Sequence, residues 1–244
     1  MDKVVSSVEE AIADIGDGAV VAIGGFFAAG VPRALLRALI RRRVRRLTLA
    51  CGSGPLLGAP EELEELVANE QIAKVIDSYA LFRSASKGLA HPFEQQVRAG
   101  RIELEIHPMG TLAEKYRAAG AGIPAFFVPT GAGSMVEDSR LTNVAEHREP
   151  KEVRTIAGRR CMLEYALQPD FALVHASSAD AEGNLRYRKT ARNFNHVMAM
   201  AARTTIAEVE RIVPPGDPDG VHTAGVFVQR VVEVGRSAHP IPQL

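Results

Sequence analysis

Gly16-Asp17-Gly18-Ala19-Val20-Val21-Ala22-Ile23-Gly24-Gly25-Phe26-Phe27-Ala28-Ala29-Gly30-Val31-Pro32 is the stretch on which the fold turns. Residues 20–23 are a short apolar, β-branched run of the kind that fills a buried strand. The glycines at 24, 25 and 30 let the backbone turn tightly, or approach a ligand with no Cβ in the way. Pro32 suits the first turn of a helix, where its missing N–H is no loss. Strand, glycine turn and helix N-terminus together make a corner that accepts anions. The same residues also describe an ordinary strand-to-helix turn, and spacing alone does not separate the two readings.

Working outward, apolar residues at Val5, Val8, Ala11, Ile12 and Ile15 follow one helical face and predict a helix over 4–15, stopped by Gly16. Downstream, Ala34, Leu35, Ala38, Leu39 and Ile40 mark a second helix, and residues 47–51 a second strand. Strand, helix and strand in succession favour a parallel sheet covered by helices, with loops gathered at the carboxyl ends of the strands. The pattern continues with helices over 61–68, 93–98 and 111–119 and strands over 73–78 and 102–106, the last alternating Ile and Leu with Glu. A short strand over 125–128 runs into Pro129-Thr130-Gly131-Ala132-Gly133, so the strand and glycine turn recur. Residues 135–150 read as a polar loop, and 152–156 with 160–163 as a hairpin about Ala157-Gly158. Strands over 171–176, 185–188, 204–209 and 225–230, with a helix over 196–202, complete one domain over 1–236. Residues 237–244 read as a tail.

Composition narrows the function classes. The 244 residues are 46% hydrophobic, enough for a sizeable core, and 29 Lys and Arg balance 29 Asp and Glu. That balance offers no argument for nucleic acid or an anionic membrane as partner. The basic run 41–46 falls at a predicted helix C-terminus, where cations complement the macrodipole. No apolar run approaches the ~20 residues that cross a bilayer, and the N-terminus lacks a signal-like apolar region, so the expectation is a soluble cytoplasmic protein. Cys51 and Cys161 form no metal-binding or disulfide spacing, and no metal site is expected.

Five motifs then occur in order along most of the chain: Gly24-Gly25-Phe26 with Gly30 and Pro32, Gly110-Thr111-Leu112-Ala113-Glu114, Ala121-Gly122-Ile123-Pro124-Ala125-Phe126-Phe127, Pro129-Thr130-Gly131-Ala132-Gly133, and Ala191-Arg192-Asn193-Phe194-Asn195. Each is weak alone, but the set in register resembles the A-type chain of a family I coenzyme A transferase. The resemblance implies an α/β fold, a three-layer α/β/α sandwich with a largely parallel sheet, and an active site where this chain meets a B-type subunit. It implies ping-pong covalent catalysis, in which a glutamate carboxylate attacks an acyl-CoA thioester, CoA thiolate then forms a glutamyl-CoA thioester, and an acceptor acid reverses the exchange. The glutamate lies on the B-type partner, so no catalytic residue is expected in this chain. No permanently bound cofactor is implied, the CoA thioester being a substrate.

On that resemblance the expected substrate-lining positions are Gly24, Gly25, Phe26, Gly30, Gly52, Ser53, Met109, Gly110, Gly131 and Gly133. Open glycine turns can direct backbone N–H groups at the oxyanion that thioester attack develops. Phe26 fits either an acyl-pocket wall or the core. Arg192, Asn193 and Asn195 fit an interface or structural element, with Arg192 also able to pair with an anion. Two departures stand out. The family pattern has an Asn pair where this chain has Gly52-Ser53, and Pro-Gln-Gly where it has Pro108-Met109-Gly110, and a methionine cannot donate the hydrogen bond of that glutamine. Arg33 also replaces an acidic or small residue. An acyl-CoA hydrolase-like relative and a non-catalytic acyl-CoA-binding module therefore remain as alternatives. Glu137, Glu164 and Glu182 lack a nucleophile's context and read as surface carboxylates.

Overall fold

The computed structural model describes residues 2–52, 59–79, 92–138 and 141–236, so Ser53 and the tail over 237–244 lie outside the described residues. In chain order the first half contains α1 (Val8–Ala11), β1 (Val20–Ile23), α2 (Arg33–Arg42), β2 (Leu47–Ala50), α3 (Pro60–Ala68), β3 (Ile72–Asp77), α4 (Pro92–Arg98), β4 (Glu103–Ile106), α5 (Met109–Gly120) and β5 (Ala125–Val128). The second half contains α6 (Met135–Asp138), β6 (Leu141–Thr142), β7 (Val153–Ile156), β8 (Arg159–Tyr165), β9 (Phe171–Ala176), β10 (Ser178–Ala179), β11 (Leu185–Arg186), α7 (Asn193–Ala201), β12 (Thr204–Val209) and β13 (Arg230–Glu233).

Among the described residues eight strands form one sheet in the order β13-β12-β9-β1-β2-β3-β4-β6. All its pairings are parallel except the last, β4 with β6. Val21 aligns with Leu49 on one side and with Phe171 on the other, which places β1 in the middle. Burial on both faces explains why β1 is a continuous apolar run with no alternation. One face is covered by α1 to α4 around Leu35, Leu39, Leu66 and Phe93, and the other by α5 and α7 around Leu112, Tyr116 and Met198. The molecule is thus an α/β sandwich with a mostly parallel sheet, as the sequence suggests. A separate antiparallel sheet, β5-β8-β7, holds the strand after Pro124, and β10 pairs with β11.

Three local expectations are corrected. The helix expected over 4–15 shrinks to α1, capped by Ser7, whose Oγ accepts the Glu10 N–H at 3.1 Å. Its first residues are extended instead, because Val5 donates its N–H to the Val231 carbonyl at 2.9 Å and covers the open edge of β13. The polar loop expected over 135–150 contains α6, β6 and a 3₁₀ turn at Ala145–His147. Asn143 organises that segment, accepting the Leu104 N–H at 2.8 Å and donating to the Ile102 and Val97 carbonyls. The strand expected over 225–230 begins only at Arg230, preceded by a 3₁₀ turn at Gly225–Phe227. Gly225 is drawn off the strand path by the turn at 180–184, donating its N–H to Asn184 Oδ1 at 2.8 Å.

The hairpin between β7 and β8 does turn at Ala157-Gly158, with φ of 49° and 75°, both positive as a two-residue hairpin turn requires. Arg33 has a structural task. Its guanidinium grips the buried Glu62 through two bonds of 2.9 Å and fastens α2 to α3. In the basic run, Arg41 pairs with Glu9 and Arg42 donates to the Ile15 carbonyl, so those charges close a helix end.

Candidate active site

β1 and β9 are neighbours, but the chain leaves β1 toward β2 on one side and leaves β9 toward β12 on the other. Open parallel sheets have a crevice at such a switch point, beyond the carboxyl ends of the strands. Here the protein fills it with a side chain of its own. Asn195, fully buried near the start of α7, accepts the His175 N–H through Oδ1 at 3.0 Å. Its Nδ2 donates to the carbonyls of Gly30 and Ala191 at 2.9 and 2.8 Å.

The glycines are shaped around that asparagine. A Cβ on Gly24 would stand 1.9 Å from Asn195 Oδ1, and one on Gly30 would stand 2.6 Å from Nδ2, with Gly30 also at a φ of 75°. Asn193 donates to the carbonyls of Ala29 and Thr190, at 2.9 and 2.7 Å. Phe194 occupies the space beside Gly52, whose Cβ would lie 2.5 Å from the ring, and packs edge-on against Tyr116. Tyr116 donates its hydroxyl to the Cys51 carbonyl at 3.2 Å, and Cys51 itself is buried. One short segment, 193–195, therefore fixes the turns after β1 and β2 together.

The rim of this locked assembly is open. Phe26 and Ala29 exchange both backbone hydrogen bonds at 3.0 Å, so residues 26–29 form a tight turn. Phe27 stands at its tip with a φ of 50° and half its surface exposed. A bulky side chain in that backbone region is strained, and such strain concentrates at functional sites. Phe26 is half-buried and packs against the core beside α7, so the exposed aromatic of this loop is Phe27, which the strand pattern gave no reason to single out. On the same carboxyl edge, Pro108 follows β4 and Met109 opens α5 with 39% of its surface exposed. A Cβ on Gly110 would meet nothing within 4 Å. The backbone N–H groups of the first helical turn lie at the positive end of the macrodipole. Thr111, buried one residue further on, has a hydroxyl with no hydrogen-bond partner among the described residues.

Gly131 and Gly133 stand elsewhere, after β5 of the small sheet, both at positive φ. The Gly133 N–H is already taken by Glu137 Oε2 at 2.6 Å. Glu137 also binds Arg160, and that bond, reinforced by the Gly133 N–H, pulls its carboxyl down to about 2. This turn therefore has one donor fewer for an oxyanion than its glycines suggest.

The structure corrects the reading of Glu164 and Glu137 as surface carboxylates, since both are buried; Glu182 is exposed as expected. Glu164 of β8 binds Lys115 of α5 at 3.0 Å and also Lys151. His107 bonds Glu105 through Nε2 at 2.7 Å, and Lys74 reaches Glu105 at 2.6 Å. Burial pushes the Glu105 carboxyl up, but the bonds from His107 and Lys74 outweigh it and hold the group far below the usual carboxylate range. For Glu164, too, burial is outweighed, here by Lys115 and Lys151. Desolvation is the main reason His107 and Lys115 sit below their ordinary values. This ionic cluster clamps β4 and α5 to the small sheet directly behind Met109. The Glu103/Glu105 alternation was its only trace in the sequence.

A second buried carboxylate supports the glycine turn from below. Glu208 of β12 accepts the Leu35 N–H at 2.8 Å, capping α2 from a strand 173 residues away. It is fully buried, with His175 Nδ1 3.4 Å from its other oxygen. No helix among the described residues is long and apolar enough to cross a membrane, and no cluster of three metal-binding side chains occurs among them.

Known proteins resemble this chain in sequence and in fold. The family described as Coenzyme A transferase matches residues 5–234. The probable A-type chain of a succinyl-CoA:3-ketoacid coenzyme A transferase from Mycobacterium tuberculosis is 43% identical, covering 99% of this chain and 97% of its own length. The A-type chain of the 3-oxoadipate CoA-transferase from Pseudomonas putida is 41% identical over 98% of this chain and 96% of its own. Among solved structures, that of the decarboxylase AibA/AibB superposes with a TM-score of 0.77 at 28% identity, covering all of this chain and 88% of that one. With a family match over nearly its whole length and relatives of matching extent, the chain belongs to the coenzyme A transferases of family I, as a member of the A type.

Proposed function

We propose that the chain is the A-type half of a transferase that moves CoA from succinyl-CoA to a 3-oxo acid, the nucleophilic glutamate coming from a B-type partner. The observation that carries this reading is the 43% identity to the A-type chain of a succinyl-CoA:3-ketoacid transferase across 99% of the sequence. The state of this chain's own acids supports the division of labour. Every buried glutamate among the described residues has a structural partner: Glu62 with Arg33, Glu94 with Arg98, Glu105 with His107, Glu137 with Arg160, Glu164 with Lys115, and Glu208 with the Leu35 N–H. Carboxylates committed to the fold in this way support a nucleophile supplied by the partner.

In the transfer, the partner's carboxylate oxygen attacks the thioester carbonyl and expels CoA thiolate, giving an acyl-glutamyl anhydride. The thiolate then attacks the glutamyl carbonyl and releases the first acid, and the acceptor acid runs the same two steps in reverse. This chain would supply the exposed wall of Phe27, Met109 and Gly110 and the backbone donors at the start of α5, with Met109 making the acyl side of the site more apolar than a glutamine would.

The test is CoA exchange by the chain co-expressed with its B-type partner, using succinyl-CoA and acetoacetate. Acetoacetyl-CoA should form only when both chains are present. Free CoA without an acceptor would instead assign a hydrolase. Likeness to a decarboxylase adds one assay to the set, release of carbon dioxide from an acyl-CoA that carries a free carboxylate.

A further inference from the structure

Beside the asparagine lock lies a cluster of titratable side chains that takes no part in it. Thr223 is fully buried, and its Oγ1 lies 2.8 Å from His196 Nδ1 and 2.9 Å from the Tyr187 hydroxyl. Tyr187 donates its backbone N–H to His222 Nδ1 at 2.9 Å, and the two rings stack with centroids 6.0 Å apart. Because Nδ1 of His222 accepts that bond, the neutral ring carries its proton on Nε2, a donor with no acceptor among the described residues. Buried groups are thus spent on holding two half-buried imidazoles in place.

Arg192 adds charge to this arrangement. It is exposed, and its guanidinium makes no hydrogen bond or ion pair among the described residues. Lys189, at the other end of the same 3₁₀ turn, stands at a φ of 50° and is likewise without an acidic partner among them. Burial first, and then the Arg192 cation, hold both imidazoles below their ordinary range, and no carboxylate acts in the opposite direction. The neighbouring Glu210 is engaged by Arg188 at 2.8 Å. Cation and imidazoles repel one another's charge unless an anion joins them.

The geometry points to an oxyanion-binding site formed by Arg192, His196 and His222, suited to a carboxylate or a phosphoryl group. Arginine's planar fork matches either group, and His222 Nε2 supplies a further donor from a rigid support, with the His196 ring held alongside by Thr223. The next residue, Asn193, holds the Ala29 carbonyl, which ties the backbone beside Arg192 to the Phe26–Ala29 turn. Assigning that group to a substrate rests on the function proposed above; the anion site itself does not.

The experiment uses the protein co-purified with its B-type partner and labelled at histidine, and follows the His196 and His222 resonances, assigned with H196N and H222N. Inorganic phosphate, adenosine 3′,5′-bisphosphate and succinate are titrated separately. At least one should shift both resonances, and R192Q should weaken that binding roughly tenfold or more, as expected for a lost charge-assisted bond. R192K, which keeps the charge without the fork, should fall between. A response to phosphate and the bisphosphate assigns a phosphoryl site, and a response to succinate alone a carboxylate site. No shift with any of the three, or equal binding by R192Q and the unaltered protein, overturns the proposal. The readout needs no turnover, so a failed exchange assay with an intact histidine response would strike the transferase reading alone.

Discussion

Gly24 and Gly110 both follow a strand on the carboxyl edge of the same sheet, yet they lack a side chain for opposite reasons. At Gly24 the space where a Cβ would stand is filled by Asn195, as Gly30's is by the same side chain and Gly52's by Phe194. At Gly110 that space is empty. A glycine-rich turn is thus no single signal. One kind of glycine makes room for the protein and stabilises the fold, while the other faces open space and is nearly silent in stability.

Gly24→Ala should produce the largest effect, about 3 kcal/mol or more of lost stability by denaturant titration, because a buried turn cannot shift aside to admit the methyl group. Pairing it with Asn195→Ala sharpens the comparison: the double variant should be distinctly less destabilised than the sum of the single ones. Simple additivity would break the idea that this glycine exists for that asparagine. Glu164→Gln comes next, at about 2 kcal/mol, since it leaves Lys115 and Lys151 facing a neutral amide in a largely buried place. It should also loosen the start of α5, seen as faster amide exchange at Met109 to Leu112 with the Gly24 turn unaffected.

Acid should reveal the same cluster. Glu105 is held far below its ordinary value near 4.5, so its contribution is complete above about pH 4.5 and is lost as pH falls toward the depressed value. Lys74→Met should flatten the fall in melting temperature as pH drops below about 4.5. An unchanged acid profile would mean that Glu105 is not held by Lys74. The smallest stability change belongs to Gly110→Ala, within about 0.5 kcal/mol, because the position is open and helical. On the function proposed above, its expected effect is instead on catalysis, roughly a tenfold loss of kcat/KM. Equal loss of stability at Gly24 and Gly110 would erase the distinction between them.

Much of the fold was legible because its signals are local. The β1 run, the α2 face and the Ala157-Gly158 turn each carry their geometry within a few residues. The N-terminal segment was misread because Val5 satisfies its backbone on Val231, a partner that no periodicity announces. In the site, the motifs could be found but not their allegiance. Gly24, Gly25, Gly30 and Gly52 read as a ligand cradle, and only the positions of Asn195 and Phe194 give three of them another task, while Gly25 makes way for Val31. The ionic cluster behind Met109 was hidden for the same reason, its members being contributed by β3, β4, α5 and β8. Phe27 was missed because strand patterning treats two adjacent phenylalanines alike, whereas the turn at 26–29 puts one inward and one outward.

The asparagine at the switch point also sets a schedule. Asn195 and the Gly30 carbonyl that it holds are 165 residues apart, and Asn193 and Ala29 are 164 apart. The first strands can pair as they leave the ribosome, but the turn after β1 has no finished form until α7 has been made. Contacts of such long separation form late and slow the final stage of folding. A loop made early in synthesis is therefore among the last to close, and a chain interrupted before α7 would carry its strands with the crevice still open.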